Sequence, residues 1–477
     1  MPKTIVIVGG GIAGLVTAYF LMKQGRAEAR TFEVIILEAE RTPGGQARAF
    51  EINGLTVEHG SHVFFNYYEN IIKIIEELRA DPDIGPSMPG FARIPGWTIV
   101  DAYGHRATLK QTPGLPVPFA VLPSILQIPW LGLCDRLRIA WGSWNLINAF
   151  PYEKFGEADQ KSGYELGIEH GYSDMGILAW NSASLGLTNL FMREQSGAVF
   201  VGKHKVLINT PDGLSYQLPA GDLSELIANP LKKKLDKQGV RTRLGAEVTH
   251  LGRSPGEAKT RVTFTQDGAE ETILADYVVS ALRPGDAAKL LPWVQAAWKE
   301  LEPVTPVLTV VLRLSGRVLQ SIDDRELGLS REQWAFSVVT DLSQFWPEYA
   351  GDPTKTVLRC EIGHADRLPR GPDTPDEDVM RMVKIDLERL FPETATMTIE
   401  TFAIHRETKH LYTRWVKGAW SRKPKERDVG QGVYLAGDWT TKGTIGMEAA
   451  ANSGIEAANH VLVGEGLAPI PFNDVPL

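Results

Sequence analysis

"TIVIVGGGIAGLVTAYFLM", residues 4–22, carries no charged side chain and admits two readings. One is an apolar export or membrane segment. The other is a buried strand, a glycine turn and a helix that together hold a phosphate. An export signal wants a positive start, an unbroken apolar run and a small-residue cleavage site. Lys3 supplies the charge, but Gly9, Gly10 and Gly11 interrupt the run, and each glycine weakens a helix interior by roughly 1 kcal/mol. The second reading uses every residue. Residues 4–8 form a short β-branched run suited to a strand buried on both faces. Gly9, Gly11 and Gly14 then spell G-x-G-x-x-G, and residues 12–24, beginning Ile12-Ala13, keep helical spacing up to an expected stop at Gly25.

The three glycines have separate tasks. Gly9 permits the tight turn, Gly11 lets backbone approach a pyrophosphate, and Gly14 lets the helix pack closely on the strand. The helix N-terminus adds free N–H groups and roughly half a positive charge, which favours a bridging phosphate. A second β-rich run, residues 32–37, ends at Glu38 and Ala39, where an acid is needed to bind a ribose hydroxyl. These features predict a dinucleotide site. Shortly afterwards Gly44 and Gly45 offer another close backbone approach, as expected for a cofactor lying extended across the sheet edge. Far downstream, "GVYLAGDWTTKGTIGMEAAANSGIEAANHVL", residues 432–462, reads as strand, turn and helix.

The 477 residues suffice for more than one core and suggest two or three domains. Hydrophobic residues at 43% and charged residues at 23% are ordinary globular usage. A net charge of −8 argues against a nucleic-acid partner, which would require a basic phosphate-binding surface. Cys134 and Cys360 are too few for a disulfide scaffold, show no metal-ligand spacing and fit a reducing, cytoplasmic compartment.

Taken together, "VVGGGIAGL"-like residues 6–15, Gly44-Gly45, and "YLAGDWT" through "GMEAAANSG" resemble the FAD-binding pattern of the flavin amine oxidase and phytoene desaturase superfamily. The resemblance covers both ends and part of the middle, about half of the chain. It implies an α/β fold with a discontinuous Rossmann-like FAD-binding domain (1–85, 205–290 and 425–463). A mixed-sheet α+β substrate domain (86–204 and 291–424) would complete it, with a membrane-contact insert at 112–150. It also implies that Gly9, Gly11 and Gly14 wrap the pyrophosphate, and that Glu38 takes the adenosine ribose. Gly44, Gly45 and Arg48 would follow the phosphates and ribityl chain, and Val248 would touch the adenine. Gly437 and Asp438 would lie near the ribityl or pyrophosphate, with Gly446 and Met447 beside the flavin ring. One departure stands out: the family places an arginine directly after the glycine pair, where this chain has Gln46, and Arg48 follows two positions later. No second G-x-G-x-x-G occurs, so no nicotinamide domain is visible, and oxygen or a quinone is the expected electron acceptor.

The residues between these motifs predict a helix over 221–238 with Pro230 inside it and Gly239 as its stop. A β-meander through residues 239–282 follows, turning at Asp267-Gly268. Strands are expected near 304–314, 334–341, 356–363 and 398–405, with a helix at 375–391. The second charge-free run, "TPGLPVPFAVLPSILQIPWLGLC", residues 112–134, is long enough to span a membrane, but five prolines would break such a helix. It is either a peripheral membrane patch with Trp130, Trp141 and Trp144 at the interface, or a buried element lining the substrate cavity. The basic residues Lys409, Arg414, Lys417, Arg422, Lys423 and Lys425 either meet anionic lipid or form a solvated face.

"NGLTVEHGSHVFFNYYENI", residues 53–71, and "GDWT" at Gly437 resemble carotenoid and squalene-pathway desaturases more than amine oxidases. This implies an apolar, isoprenoid or carotenoid-like substrate, with Gly60, Ser61 and His62 facing the flavin. His62 is either a polarising group or a hydrogen-bonded structural histidine, and Arg283 is a further polar candidate. No general base is assigned. Two other readings stand beside this one: an oxidase of a small or secondary-metabolite amine, and a non-redox prenyl-binding module like the GDP-dissociation inhibitors of Rab proteins.

Overall fold

The computed structural model describes residues 2–253, 256–318, 325–330, 332–409, 411, 413–441, 443 and 445–473. The opening stretch forms the strand Lys3–Val8 and the helix Ile12–Ala27, and the next strand is Phe32–Glu38. The helix passes through Gly25 instead of stopping there. Gly25 is buried, and a Cβ on it would lie 2.9 Å from the Arg30 carbonyl oxygen and 3.1 Å from the Phe32 ring. Its missing side chain serves the close return of the chain, not helix termination.

The strand Lys3–Val8 is central in a five-stranded sheet. Its order is Arg241–Leu244, Phe32–Glu38, Lys3–Val8, Tyr277–Ser280 and Val433–Leu435, and every neighbouring pair is parallel. Three stretches remote in sequence thus meet in one sheet. Parallel sheets need cover on both faces. The helix Ile12–Ala27 packs on the C-terminal helix Gly446–Gly464 as part of that cover. Thr17 Oγ1 crosses between the two helices to the Gly454 carbonyl oxygen at 3.2 Å.

The expected meander is divided between two sheets. Arg241–Leu244 and Tyr277–Ser280 join the parallel sheet, while Ala246–Gly252, Thr260–Gln266 and Ala269–Ala275 form a separate antiparallel one. Asp267 and Gly268, both at positive φ (49° and 82°), make its hairpin turn. Pro230 is accommodated because the helix begins as a π turn, Ser224–Ala228, before the α segment Asn229–Lys237. Pro230 is the second residue of that α segment, just past the π turn, the kind of irregularity at which a helix takes a proline.

The other large sheet has seven strands: Ile399–Glu407, Val307–Leu314, Thr356–Ile362, Val338–Asp341, Glu326–Gly328, Trp97–Val100 and Arg106–Leu109. It is mixed, since Glu326–Gly328 pairs parallel to Trp97–Val100 and the other pairs are antiparallel. The last three strands were not foreseen. Two of them come from the segment before the charge-free run, so both halves of the expected substrate region build one sheet. The helix Asp376–Leu390 buries Val379, Val383, Leu387 and Leu390 in the apolar cluster of this sheet.

Residues 112–134 fold into the short helical pieces Phe119–Val121 and Leu122–Leu126, followed by the helix Leu133–Ala149. Among the described residues, no helix is long and apolar enough to cross a membrane. Leu133 is 64% exposed and Trp141 62%, with Leu115, Phe119, Leu126, Leu137 and Trp144 also exposed. Trp130, by contrast, is partly buried against the main core. The basic run is partly tied to the protein's own groups: Lys417, itself exposed, pairs with Glu165 at 3.2 Å. Lys423 lies 3.5 Å from the Trp420 ring centroid, and Arg414 approaches Glu194 at 3.7 Å.

Candidate functional site

A cavity of about 720 Å³ runs from the glycine turn to the seven-stranded sheet. It is lined by Gly9, Gly11, Ile12, Ala13, Glu38, Ala39, Gly44, Gly45, Gln46 and Arg48 at one end. Gly60, Ser61, His62, Val248, Gly437, Asp438, Gly446 and Met447 continue the wall. Every sequence-predicted site residue except Gly14 therefore borders one space. Gly14 lies behind it, where a Cβ would drive well inside contact distance of the Gly9 carbonyl oxygen. That is the packing task assigned to it. Arg283 also borders the cavity, tied to Asp286 at 2.6 Å.

Backbone constraints explain the cradle. Gly9 has φ 106°, and a Cβ there would stand 2.9 Å from the Ala281 carbonyl oxygen. Gly44 (φ 112°) and Gly45 (φ 59°) also use conformations that L side chains rarely adopt. Gly11 pairs with Gly44 in an isolated parallel bridge, and a Cβ on Gly45 would sit 3.2 Å from the Gly11 Cα. Two backbones thus run side by side with no side chains between them. Glu38 fixes the turn: its Oε2 accepts from the Gly10 N–H at 2.6 Å and its Oε1 from the Glu40 N–H at 2.8 Å. Arg48 is buried, reaches Glu40 at 3.5 Å, and leaves its Nε–H without a protein acceptor. A side-chain-free cradle at a helix N-terminus, with a buried guanidinium beside it, fits the extended anionic cofactor that the sequence implies.

The far wall is different. Leu185, Leu187, Val206, Leu207, Val307 and Leu411 give it an aliphatic surface, and Tyr67, Tyr68 and Trp415 add rings. Polar groups interrupt it at a few points. His62 is half-buried, its Nδ1 lies 3.0 Å from the Gly60 carbonyl oxygen, and desolvation drives its pKa down to about 3. The imidazole is therefore neutral and hydrogen-bonded, whichever task it has. Asp438 is pushed up to about 6 by burial, with Lys423 opposing.

Sequence reading missed the carboxylates contributed by the seven-stranded sheet. Glu361 borders the cavity and accepts from the Ser61 N–H. Burial pushes it up to about 7 against the pull of Arg359. Glu407 also borders the cavity, pairs with His59, and lies 3.5 Å from His405. Their sequence signal is alternation: Arg359 and Glu361 are two apart in "TVLRCEI", residues 356–362, and so share one face of the strand. Lys203 was missed as well. It stands in "GAVFVGKHKVLI", residues 197–208, a helix buried almost all round in which His204 and Lys205 are the other polar residues.

The profile of the family "Flavin containing amine oxidoreductase" matches residues 12–462. The zeta-carotene desaturase of Synechocystis is 23% identical over 97% of this chain and 97% of its own length. That of Arabidopsis thaliana is 24% identical over 98% of this chain and 87% of its own. The carotenoid phi-ring synthase of Chlorobaculum tepidum is 27% identical over 56% of this chain, and the match spans only 40% of that longer protein. Among solved structures, cyclohexylamine oxidase from Brevibacterium oxydans superposes with a TM-score of 0.68 at 17% identity, covering 98% of this chain and all of the other. An oxidoreductase from Methanosarcina mazei gives 0.69 at 18% identity, covering 95% and 99%.

Proposed function

This chain belongs to the flavin containing amine oxidoreductase family, and from that premise we propose that it dehydrogenates a long apolar substrate of isoprenoid or carotenoid type. It is an FAD-dependent oxidoreductase, and the flavin supplies the hydride acceptor. The chain's own residues bind, orient and exclude water. Gly9, Gly11, Gly44 and Gly45 would give the pyrophosphate its N–H groups and room, Arg48 its counter-charge, and Val248 a surface for the adenine. Gly60, Ser61, His62, Gly446 and Met447 would border the ring. Oxygen or a quinone would take the electrons onward. The proposed division remains an FAD domain of 1–85, 205–290 and 425–463 and a substrate domain of 86–204 and 291–424.

The observation that carries the substrate class is the aliphatic wall of Leu185, Leu187, Val206, Leu207, Val307 and Leu411. Each buried methylene contributes about 0.8 kcal/mol, so a long hydrocarbon chain is retained by burial alone. The full-length alignments with zeta-carotene desaturases support the same class. Forming a double bond removes a hydride from one carbon and a proton from its neighbour. The flavin end accounts for the hydride, and Glu361 is a carboxylate on the cavity wall able to receive the proton.

Anaerobic bleaching of the flavin, with a panel of carotenoid precursors, squalene derivatives and amines, tests this. Bleaching by the isoprenoids is expected. Bleaching by an amine alone would move the enzyme to the amine oxidases, and a colourless, flavin-free protein would revive a prenyl-binding module. The exposed apolar surface around Leu133 and Trp141 supports peripheral contact with a lipid surface, from which such a substrate would be drawn.

A further inference from the structure

The helix Gly197–Ile208 has two polar side chains buried at its centre, and they are treated unequally. His204 is satisfied at both nitrogens: Nδ1 lies 2.9 Å from the Phe200 carbonyl oxygen and Nε2 2.7 Å from the Tyr172 hydroxyl. Its neighbour Lys203 turns to the large cavity, is only 5% exposed, and sits in the wall with Leu187, Val206 and Leu207. Its one hydrogen bond is long: Nζ donates to Thr188 Oγ1 at 3.4 Å. That hydroxyl already accepts from Gln195 Nε2 at 2.5 Å. Among the described residues no carboxylate pairs with Lys203. Of the acids that line the cavity, Glu361 is engaged with the Ser61 N–H and Glu407 with His59.

An amine with three donor positions is thus buried beside an aliphatic wall with one weak partner. A side chain whose only task was to fill that space would be apolar, because desolvating an unmatched amine is unfavourable. Burial alone already drives its pKa well below the usual lysine range. The missing partner is an acceptor, and an anionic one would restore the charged form.

We propose that Lys203 anchors a carboxylate at one end of the substrate, so that the enzyme prefers isoprenoid acids over the corresponding hydrocarbons. The inference rests on the isoprenoid reading of the cavity and narrows it. The aliphatic wall takes the chain, and Lys203 fixes how far the chain slides past the flavin end, hence which C–H bond is presented.

The test uses the flavin-loaded enzyme and two C20 probes, geranylgeranoic acid and the hydrocarbon in which a methyl group replaces its carboxylate. Binding is read from the perturbation of the flavin absorbance. The acid is expected to bind at least tenfold tighter than the hydrocarbon. Lys203→Met should abolish that preference while leaving hydrocarbon affinity and flavin content unchanged, and Lys203→Arg should retain most of it. Equal affinity of the two probes for the unaltered enzyme overturns the proposal, whether or not the variants fold. So does a preference that survives Lys203→Met. If neither probe binds while the flavin is in place, the isoprenoid reading itself fails, an outcome distinct from the loss of the anchor alone.

Discussion

Gly11→Ala separates the cradle's ligand from its fold. Gly11 has φ −73° and ψ 179°, a conformation any residue adopts. A Cβ there would find its nearest neighbours at 3.8 Å (Gly45 Cα) and 4.0 Å (Gly44 oxygen), ordinary contact distances. The polypeptide without cofactor therefore loses only the small difference between glycine and alanine at a helix N-cap, about 0.5 kcal/mol. In a chain this long that lowers Tm by roughly 0.5 °C. With FAD the methyl group stands in the space between two backbones that the pyrophosphate would use. Overpacking by one such group costs about 1–3 kcal/mol, a weakening of FAD affinity of roughly 10- to 100-fold. Since bound ligand stabilises through its affinity, the loaded protein should lose a further 1.4–2.7 kcal/mol, about 1–3 °C. The assay is a pair of melting curves, with and without saturating FAD, beside an FAD titration by flavin fluorescence. Unchanged FAD affinity in Gly11→Ala would refute the pyrophosphate assignment, and an equally large loss in the apoprotein would refute the claim that the space is empty of protein.

Gly14→Ala should behave oppositely: its Cβ meets the Gly9 carbonyl oxygen, so destabilisation of about 3 kcal/mol or more is expected in melts with or without FAD. Glu361 is raised to about 7 from 4.5. If its carboxylate receives the substrate proton, kcat rises with pH through about 7, and Glu361→Gln removes that inflection while leaving FAD affinity intact. The same shift has a stability consequence. A carboxyl raised on folding contributes stability that is full below its unfolded pKa and is lost as pH climbs through about 7, as Glu58 also does. Glu361→Gln should flatten part of the fall in Tm between pH 4.5 and 7. Replacing exposed Leu133 and Trp141 by serine should abolish liposome flotation with little change in Tm, whereas Trp130→Ala should lower Tm, because Trp130 packs on the core.

What the sequence makes legible is what the backbone dictates. A strand entering a helix through Gly9, a paired glycine turn at Gly44 and Gly45, and a positive φ at Gly446 each demand a residue without a side chain. Their spacing therefore betrays them, and all border the cavity. Gly25 warns against reading every glycine so, since it serves close packing within a continuing helix. The substrate wall gives no comparable signal. Leu187, Val206 and Val307 look like any core residue, and only the meeting of a helix and a sheet more than a hundred residues apart turns them to one space. Trp130 and Trp141 are indistinguishable as letters, yet local folding partly buries one and exposes the other.

The carboxylates of the large sheet show how the two walls are locked together. Arg359 donates to Glu58 at 2.9 Å and to Ser61 Oγ at 2.7 Å. Ser61 Oγ donates in turn to Glu326 at 2.6 Å, and Thr340 Oγ1 donates to the same Glu326 oxygen at 3.0 Å. Glu58 and Ser61 belong to the segment before His62, while Arg359, Glu326 and Thr340 belong to the seven-stranded sheet. Two buried acids, Glu58 and Glu326, and the half-buried Glu361 surround a single guanidinium, an arrangement with more charge to desolvate than the one cation can match. Burying them for stability alone would be poor economy, because apolar residues of like volume would serve as well. Directional bonds do what apolar packing cannot: they fix residues 58–62 in register against the strand Thr356–Ile362 to within hydrogen-bond tolerance. A C–H bond carries no charge or hydrogen-bonding group by which it can be gripped, so placing one over a flavin depends on the rigidity of the walls around it.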